Sequence, residues 1–168
     1  MKKILLLITG LIAFMPMINA QQTRSEQEAY YLVGFARFLN FNNSADYFYI
    51  NIVGQASVMD DVNELAIGNS FNGRKLLARE TDSINMYKCS ILFLNKRYQN
   101  NITNIINNTP DDVIVVAEDN PLADINFYYK KANQLDSSIV YSVNLQSIKR
   151  KKVKYSYEFI GLADKIIQ

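Results

Sequence analysis

Few side chains in this chain are equipped for chemistry. Among 168 residues there is no histidine, and Cys89 is the sole cysteine. Without histidine the commonest general base, the commonest zinc ligand and every Ser-His or Cys-His dyad are lost. A hydrolase would need a lysine or carboxylate base, and no spacing in the sequence suggests one. Glu118 and Asp119 follow the apolar run Val113 to Ala117, at the kind of strand end where open parallel sheets collect ligands. They read either as a binding or catalytic pair or, more plainly, as solvated acids capping a turn. A receiver-type phosphoacceptor would need an aspartate ending the Cys89 strand, but Asn95 stands there. Gly54-Gln55-Ala56-Ser57 can present a helix N-terminus to an anion, or merely turn the chain. Cys89 opens an apolar stretch and reads as a buried, inert thiol, with an intermolecular disulfide as the alternative. Lys149-Arg150-Lys151-Lys152 with Lys154 either docks on an acidic partner or anionic headgroups, or ends a helix in solvent. No basic–aromatic interleaving supports nucleic-acid binding. The Asn-x-Ser/Thr triplets at Asn42, Asn101 and Asn107 match a glycosylation pattern, as expected by chance in an asparagine-rich chain. The expectation is a non-enzymatic protein with no cofactor and no metal.

The elements that would position these residues are clearer. From Ala29, apolar side chains at Leu32, Val33, Ala36 and Leu39 form a one-sided helical stripe widened by Phe35 and Phe38. Ser25 with Glu28 forms a capping box before it, and Thr23 with Glu26 is a competing start. Asn42, Asn43, Ser44 and Asp46 are turn formers that stop the helix. Tyr47 to Val53 is apolar on both faces, as befits a central strand covered above and below, and Gly54 allows a sharp turn at its end. A second helix, capped by Ser57, carries Val58, Val62, Leu65 and Ala66 and stops at Gly68-Asn69. Lys75 to Glu80 reads as a strand near an edge, Thr81 to Tyr87 is ambiguous, and Cys89 to Leu94 is a second central strand. A third helix spans Lys96 to Asn107, with Tyr98, Ile102, Ile105 and Ile106 inward, and Val113 to Ala117 is the third central strand. Strands alternating with helices imply right-handed crossovers and a parallel sheet. Ile125 to Lys130 and Ile139 to Val143 suggest an antiparallel hairpin, followed by a short helix at Gln146 to Lys151. A final helix is expected over Glu158 to Ile167, with Phe159, Leu162, Ala163 and Ile166 inward. The fold class is α/β, a mostly parallel central sheet flanked by helices, with a C-terminal hairpin and last helix.

Lys2 and Lys3, the apolar run Ile4 to Phe14, Pro16 and Ile18-Asn19-Ala20 form a secretory signal peptide, expected to be cleaved after Ala20. The run is shorter than the roughly 20 residues that span a bilayer. The formal excess of 18 basic over 16 acidic residues is those two lysines, so residues 21–168 are neutral. They suit a single domain stabilised by its core, since one cysteine makes no internal disulfide, and no later segment approaches transmembrane length.

Taken together, these segments resemble the YfiR-like family of periplasmic regulatory proteins. The resemblance covers roughly Glu28 to Ile167. It rests on Ala29-Tyr30-Tyr31-Leu32-Val33-Gly34-Phe35-Ala36-Arg37-Phe38, the strand into Gly54, Cys89-Ser90-Ile91-Leu92-Phe93, Val113 to Asp119, Val143-Asn144-Leu145 and Tyr155 to Ala163. There are departures. Phe41-Asn42 replaces the usual Trp-Pro, Pro121-Leu122-Ala123-Asp124 stands where a glycine pair is usual, and the partner cysteines of disulfide-bearing members are missing. Control through an internal disulfide therefore does not carry over. The resemblance implies a non-enzymatic periplasmic domain, often a homodimer, that regulates an inner-membrane receptor through the receptor's periplasmic part. In the best-known members that receptor is a diguanylate cyclase held inactive, and a sensor kinase or outer-membrane system is equally compatible here. Candidate ligand or partner contacts are Arg37, Gly54, Asn95, Glu118 and Asp119. The alternative is a periplasmic small-molecule binder using the strand-end crevice near Gly54, Asn95 and Glu118.

Overall fold

The computed structural model describes residues 22–41, 46–81, 87–131 and 137–168. The expected signal peptide, the turn formers Asn42 to Ser44 and most of the ambiguous Thr81–Tyr87 segment lie outside them. Helix α1 (Arg24–Phe38) starts at Thr23, not Ser25: the Thr23 hydroxyl accepts from the Glu26 N–H at 3.3 Å and the Glu26 carboxylate accepts from the Thr23 N–H at 2.7 Å. The expected box at Ser25 fails, and the competing start holds, because Glu28 is turned inward and engaged by Arg24 and Gln55. There follow β1 (Leu39–Phe41), β2 (Tyr47–Val53), α2 (Ala56–Ala66), β3 (Ser70–Phe71), β4 (Arg74–Glu80) and β5 (Ile91–Leu94). A 3-10 turn over Lys96–Asn101 then leads into α3 (Ile102–Asn108). The chain ends with β6 (Ile114–Glu118), β7 (Ile125–Lys131), β8 (Ser137–Asn144), α4 (Leu145–Arg150), β9 (Val153–Tyr155), α5 (Tyr157–Gly161) and β10 (Lys165–Ile167).

The main sheet has the order β10-β8-β7-β6-β5-β2-β4-β3, and β1 pairs with β9 in a small antiparallel ribbon. β4, β2, β5, β6 and β7 are parallel, whereas β3/β4 and β7/β8 are antiparallel. The expected α/β class, its three central strands and its hairpin are all present. One face packs under α1, α2 and α5. There Phe35, Phe127, Tyr141 and Phe159 form an edge-to-face and stacked cluster with centroids 5.1–5.9 Å apart. The other face is smaller: α3 covers Val53, Leu92, Leu94, Val113, Val115 and Ala117 through Ile102 and Ile105.

Parallel neighbours normally need a crossover of a dozen or more residues, yet β6 and β7 are joined by residues 119–124 alone. The register explains this. Val116 faces Ile125 and Glu118 faces Phe127, so the chain drops back only two positions before running on past the end of β6. The return is held by Asn120 N–H on the Asn126 side chain at 2.7 Å and Asp119 N–H on the Phe127 carbonyl at 2.8 Å. Because β7 pairs with β6 only from Val116 onward, the Val115 N–H lies just before the paired stretch and has no acceptor on β7. The buried Asp124 carboxylate takes it at 2.7 Å and also accepts from the Ser147 hydroxyl of α4.

Several expectations are corrected. The last helix stops at Gly161, and Lys165–Ile167 is a strand beside β8. Asp164 pulls the chain out of helix: its N–H bonds the Tyr141 carbonyl at 2.9 Å, and its carboxylate accepts from Tyr128 and Lys130. Leu162 and Ile166 are consequently exposed rather than inward. Gln55, not Ser57, precedes α2, and Leu65 lies outward on it. The third helix opens as a 3-10 turn, with the Lys96 N–H capped by Glu118 and the Arg97 N–H by the Asn95 side chain.

Candidate functional site

The connection leaving β2 passes to β4 over one face of the sheet, and the one leaving β5 passes to β6 over the other. The strand ends between them are the topological switch point where ligands collect in such sheets. Gly54 turns the chain there with φ +82°, and a Cβ on it would lie 2.9 Å from the Tyr98 ring. The Asn95 amide bridges the crevice, donating to the Gln55 side-chain carbonyl at 2.8 Å.

The first turn of α1 fills this crevice. Glu28 (0 % exposed) and Glu118 (1 %) meet there. Arg24 donates to Glu28 Oε1 at 2.8 Å and lies 2.7 Å from Glu118 Oε1. Gln55 donates to Glu28 Oε2 at 3.0 Å, and the Lys96 N–H donates to Glu118 Oε2 at 2.8 Å. Arg24 also stacks over the Tyr129 ring at 4.9 Å. Burial, then a hydrogen bond with Glu118, push the Glu28 carboxyl up to about 8, with Arg24 pulling the other way. The chain's own donors thus occupy the acceptor positions a ligand would use. Asp119 is separated from Glu118: it sits in the left-handed region at φ +50° with its residue exposed.

Arg37 lies elsewhere, in the last turn of α1, with its guanidinium 5.6 Å from the Phe71 ring centroid. It borders a shallow groove of about 210 Å³ on the helical side, floored by Phe35 and Tyr141 and rimmed by Tyr30, Phe38, Leu65 and Leu162. Tyr30, Leu65 and Leu162 are 65 %, 41 % and 62 % exposed. Gly34 adds no side chain to the α1 wall, leaving the groove open. The candidate residues therefore divide: Gly54, Asn95 and Glu118 cluster at the crevice, Asp119 lies just beyond it, and Arg37 is on the groove.

Sequence reasoning passed over Arg24 in the crevice, read Glu28 only as a helix cap and Gln55 only as part of an anion-binding or plain turn, and passed over Tyr30, Leu65 and Leu162 at the groove. Glu28 carried a readable signal, since it stands four residues before Leu32 on the buried stripe. The groove carried none, because its rim comes from three separate helices. The basic block is partly neutralised: the Lys151 amine is 3.6 Å from Asp124, and that of Lys152 is 3.5 Å from Asp111. Burial pushes the half-buried Cys89 thiol up to about 12. Among the described residues no cluster of three metal-ligating side chains occurs, and no helix is long and apolar enough to cross a membrane.

A family model described as YfiR/HmsC-like matches residues 25–164. No curated protein matches the chain.

Proposed function

From the premise that this chain belongs to the YfiR/HmsC-like family, we propose that it is a non-enzymatic periplasmic regulator acting on an inner-membrane signalling receptor. The receptor is of the diguanylate cyclase or sensor kinase type, and its periplasmic part docks in the groove between α1, α2 and α5. The observation that carries this reading is the groove itself, an apolar surface with a single guanidinium, Arg37, at its margin. The crevice at the strand ends supports the alternative of a small-molecule site less well, because α1 already occupies it.

Regulation by contact is a population shift, in which preferential binding to one receptor state moves its equilibrium. Moving a receptor from 1:99 to 99:1 needs about 5.5 kcal/mol of differential affinity. Fully burying a large apolar side chain contributes about 1.5–3 kcal/mol. Covering the half-exposed Tyr30, Leu65 and Leu162 would contribute roughly 2–5 kcal/mol before the cost of association, and the part of it gained in one receptor state and not the other is what shifts the equilibrium.

The test is affinity capture of the tagged protein from detergent-solubilised envelopes, comparing it with a Leu65→Asp, Leu162→Asp double variant of unchanged thermal stability. Retention of a membrane protein bearing a cyclase or kinase module, lost with the variant, is the expected result. Equal retention by both proteins, or no signalling protein with either, overturns the proposal.

A further inference from the structure

We propose that the apolar groove is the middle of a longer, electrically polarised trough, and that its occupant is an amphipathic helix of the receptor's periplasmic part carrying a basic, an apolar and an acidic anchor in that order, an inference that rests on the docking reading above.

The trough extends past the groove rim. Tyr30 and Leu65, which border the apolar groove, also line a second hollow of about 230 Å³, whose other walls include Glu26, Asp61 and Glu64. Helical periodicity brings these groups together. Glu26, Tyr30, Gly34 and Arg37 stand at i, i+4, i+8 and i+11 along α1, and Asp61 and Leu65 at i and i+4 along α2, so each set shares a face. That face of α1 runs from an acid in the first turn, past an aromatic ring and a bare glycine, to a base in the last.

The charges at the two ends are uncompensated. Among the described residues, no ion pair includes Glu26, Asp61, Glu64 or Arg37. Asp61 Oδ2 is buried and has no hydrogen-bond partner among those residues, a cost that an incoming ammonium or guanidinium would relieve. Glu26 is already oriented by the Thr23 N–H at 2.7 Å, and Glu64 is exposed. Three carboxylates at one end call for a cation. Arg37, exposed beside the Phe71 ring, calls for an anion at the other.

Length and backbone chemistry select a helix. The eleven residues from Glu26 to Arg37, at about 1.5 Å each, put the two ends about 16 Å apart, or three helical turns. The trough is walled and floored by side chains. An extended segment would bury N–H and C=O groups there without partners, whereas a helix pairs its own. A helix lying along α1 places its basic and acidic anchors about eleven residues apart, with an apolar side chain between them in the groove.

The test is photo-crosslinking in envelopes from benzoylphenylalanine placed at position 65, with the adduct sequenced by mass spectrometry. The expected adduct lies in the periplasmic part of a cyclase- or kinase-bearing protein, in a stretch with Lys or Arg and Asp or Glu about eleven residues apart. Glu64→Lys and Arg37→Glu, both at exposed positions, should each lower capture of that protein about five- to tenfold. Raising salt to about 1 M, where the screening length is about 3 Å, should weaken capture by the unaltered protein likewise. Capture that is lost with the Leu65→Asp, Leu162→Asp variant but indifferent to both charge reversals, or an adduct lacking either charge, overturns the polarised trough and leaves groove docking standing. Failure to retain or crosslink any signalling protein overturns both.

Discussion

Replacing Asp124 should separate the strength of a hydrogen-bond network from that of an ion pair. Asp124 is buried and receives three groups: the Val115 N–H at 2.7 Å, the Ser147 hydroxyl, and the Lys151 amine at 3.6 Å. Alanine leaves the Val115 N–H without an acceptor, at about 1–3 kcal/mol. It also strands the Lys151 amine, whose side chain is 7 % exposed. Removing one partner of a buried pair costs about 3–5 kcal/mol, but Lys151 keeps the Pro110 carbonyl at 3.4 Å, which moderates that loss. The expected total is about 3–5 kcal/mol, a large fraction of the roughly 5–15 kcal/mol by which domains are stable. Asparagine behaves differently. Its carbonyl can still accept from Val115 while its amide donates to the Ser147 oxygen, which turns from donor to acceptor. Only the charge facing Lys151 is lost, at about 1–2 kcal/mol. Urea unfolding at pH 7, monitored by tyrosine fluorescence, gives both differences from shifts in midpoint at constant slope. An Asp124→Asn loss equal to that of Asp124→Ala, or an alanine loss below about 1 kcal/mol, would refute the assignment of Asp124 as substitute acceptor for β6.

Gly54→Ala should cost about 1–3 kcal/mol, because it combines a positive φ with a Cβ 2.9 Å from the Tyr98 ring. Gly68→Ala, at φ +72° with nothing within 4 Å, should cost only the backbone part, about 1 kcal/mol, and equal losses at the two sites would dismiss the steric contribution. The Cys89 thiol, pushed up to about 12 chiefly by burial, should react with a disulfide reagent at pH 8 roughly a hundredfold more slowly than after unfolding in urea. Comparable native and unfolded rates would show an accessible thiolate.

Elements whose identity rests on local pattern were legible from residue order. Tyr47 to Val53 and Val113 to Ala117 are apolar on both faces, and only a covered central strand tolerates that. The α1 stripe likewise announced its inward face. The final segment was not legible. Phe159, Leu162, Ala163 and Ile166 have helical spacing, but Asp164 finds partners on β7 and β8, and these long-range bonds outweigh a marginal local preference. Of the candidate contacts, Gly54, Asn95 and Glu118 were foreseen as neighbours because parallel strands bring their C-terminal ends together. What fills the space between them was not foreseen.

By itself the sequence determined the chemical repertoire, without histidine and with one cysteine, together with the periodicities that make an α/β sheet and the motifs of the family. Tertiary structure alone decided that Arg24 and Glu28 enter the strand-end crevice and that Tyr30, Leu65 and Leu162 rim one groove. The reason is physical. Periodicity encodes which side of an element faces inward, a local property carried by neighbouring residues. Which inward groups meet depends on strand order and register, set by packing across the whole chain.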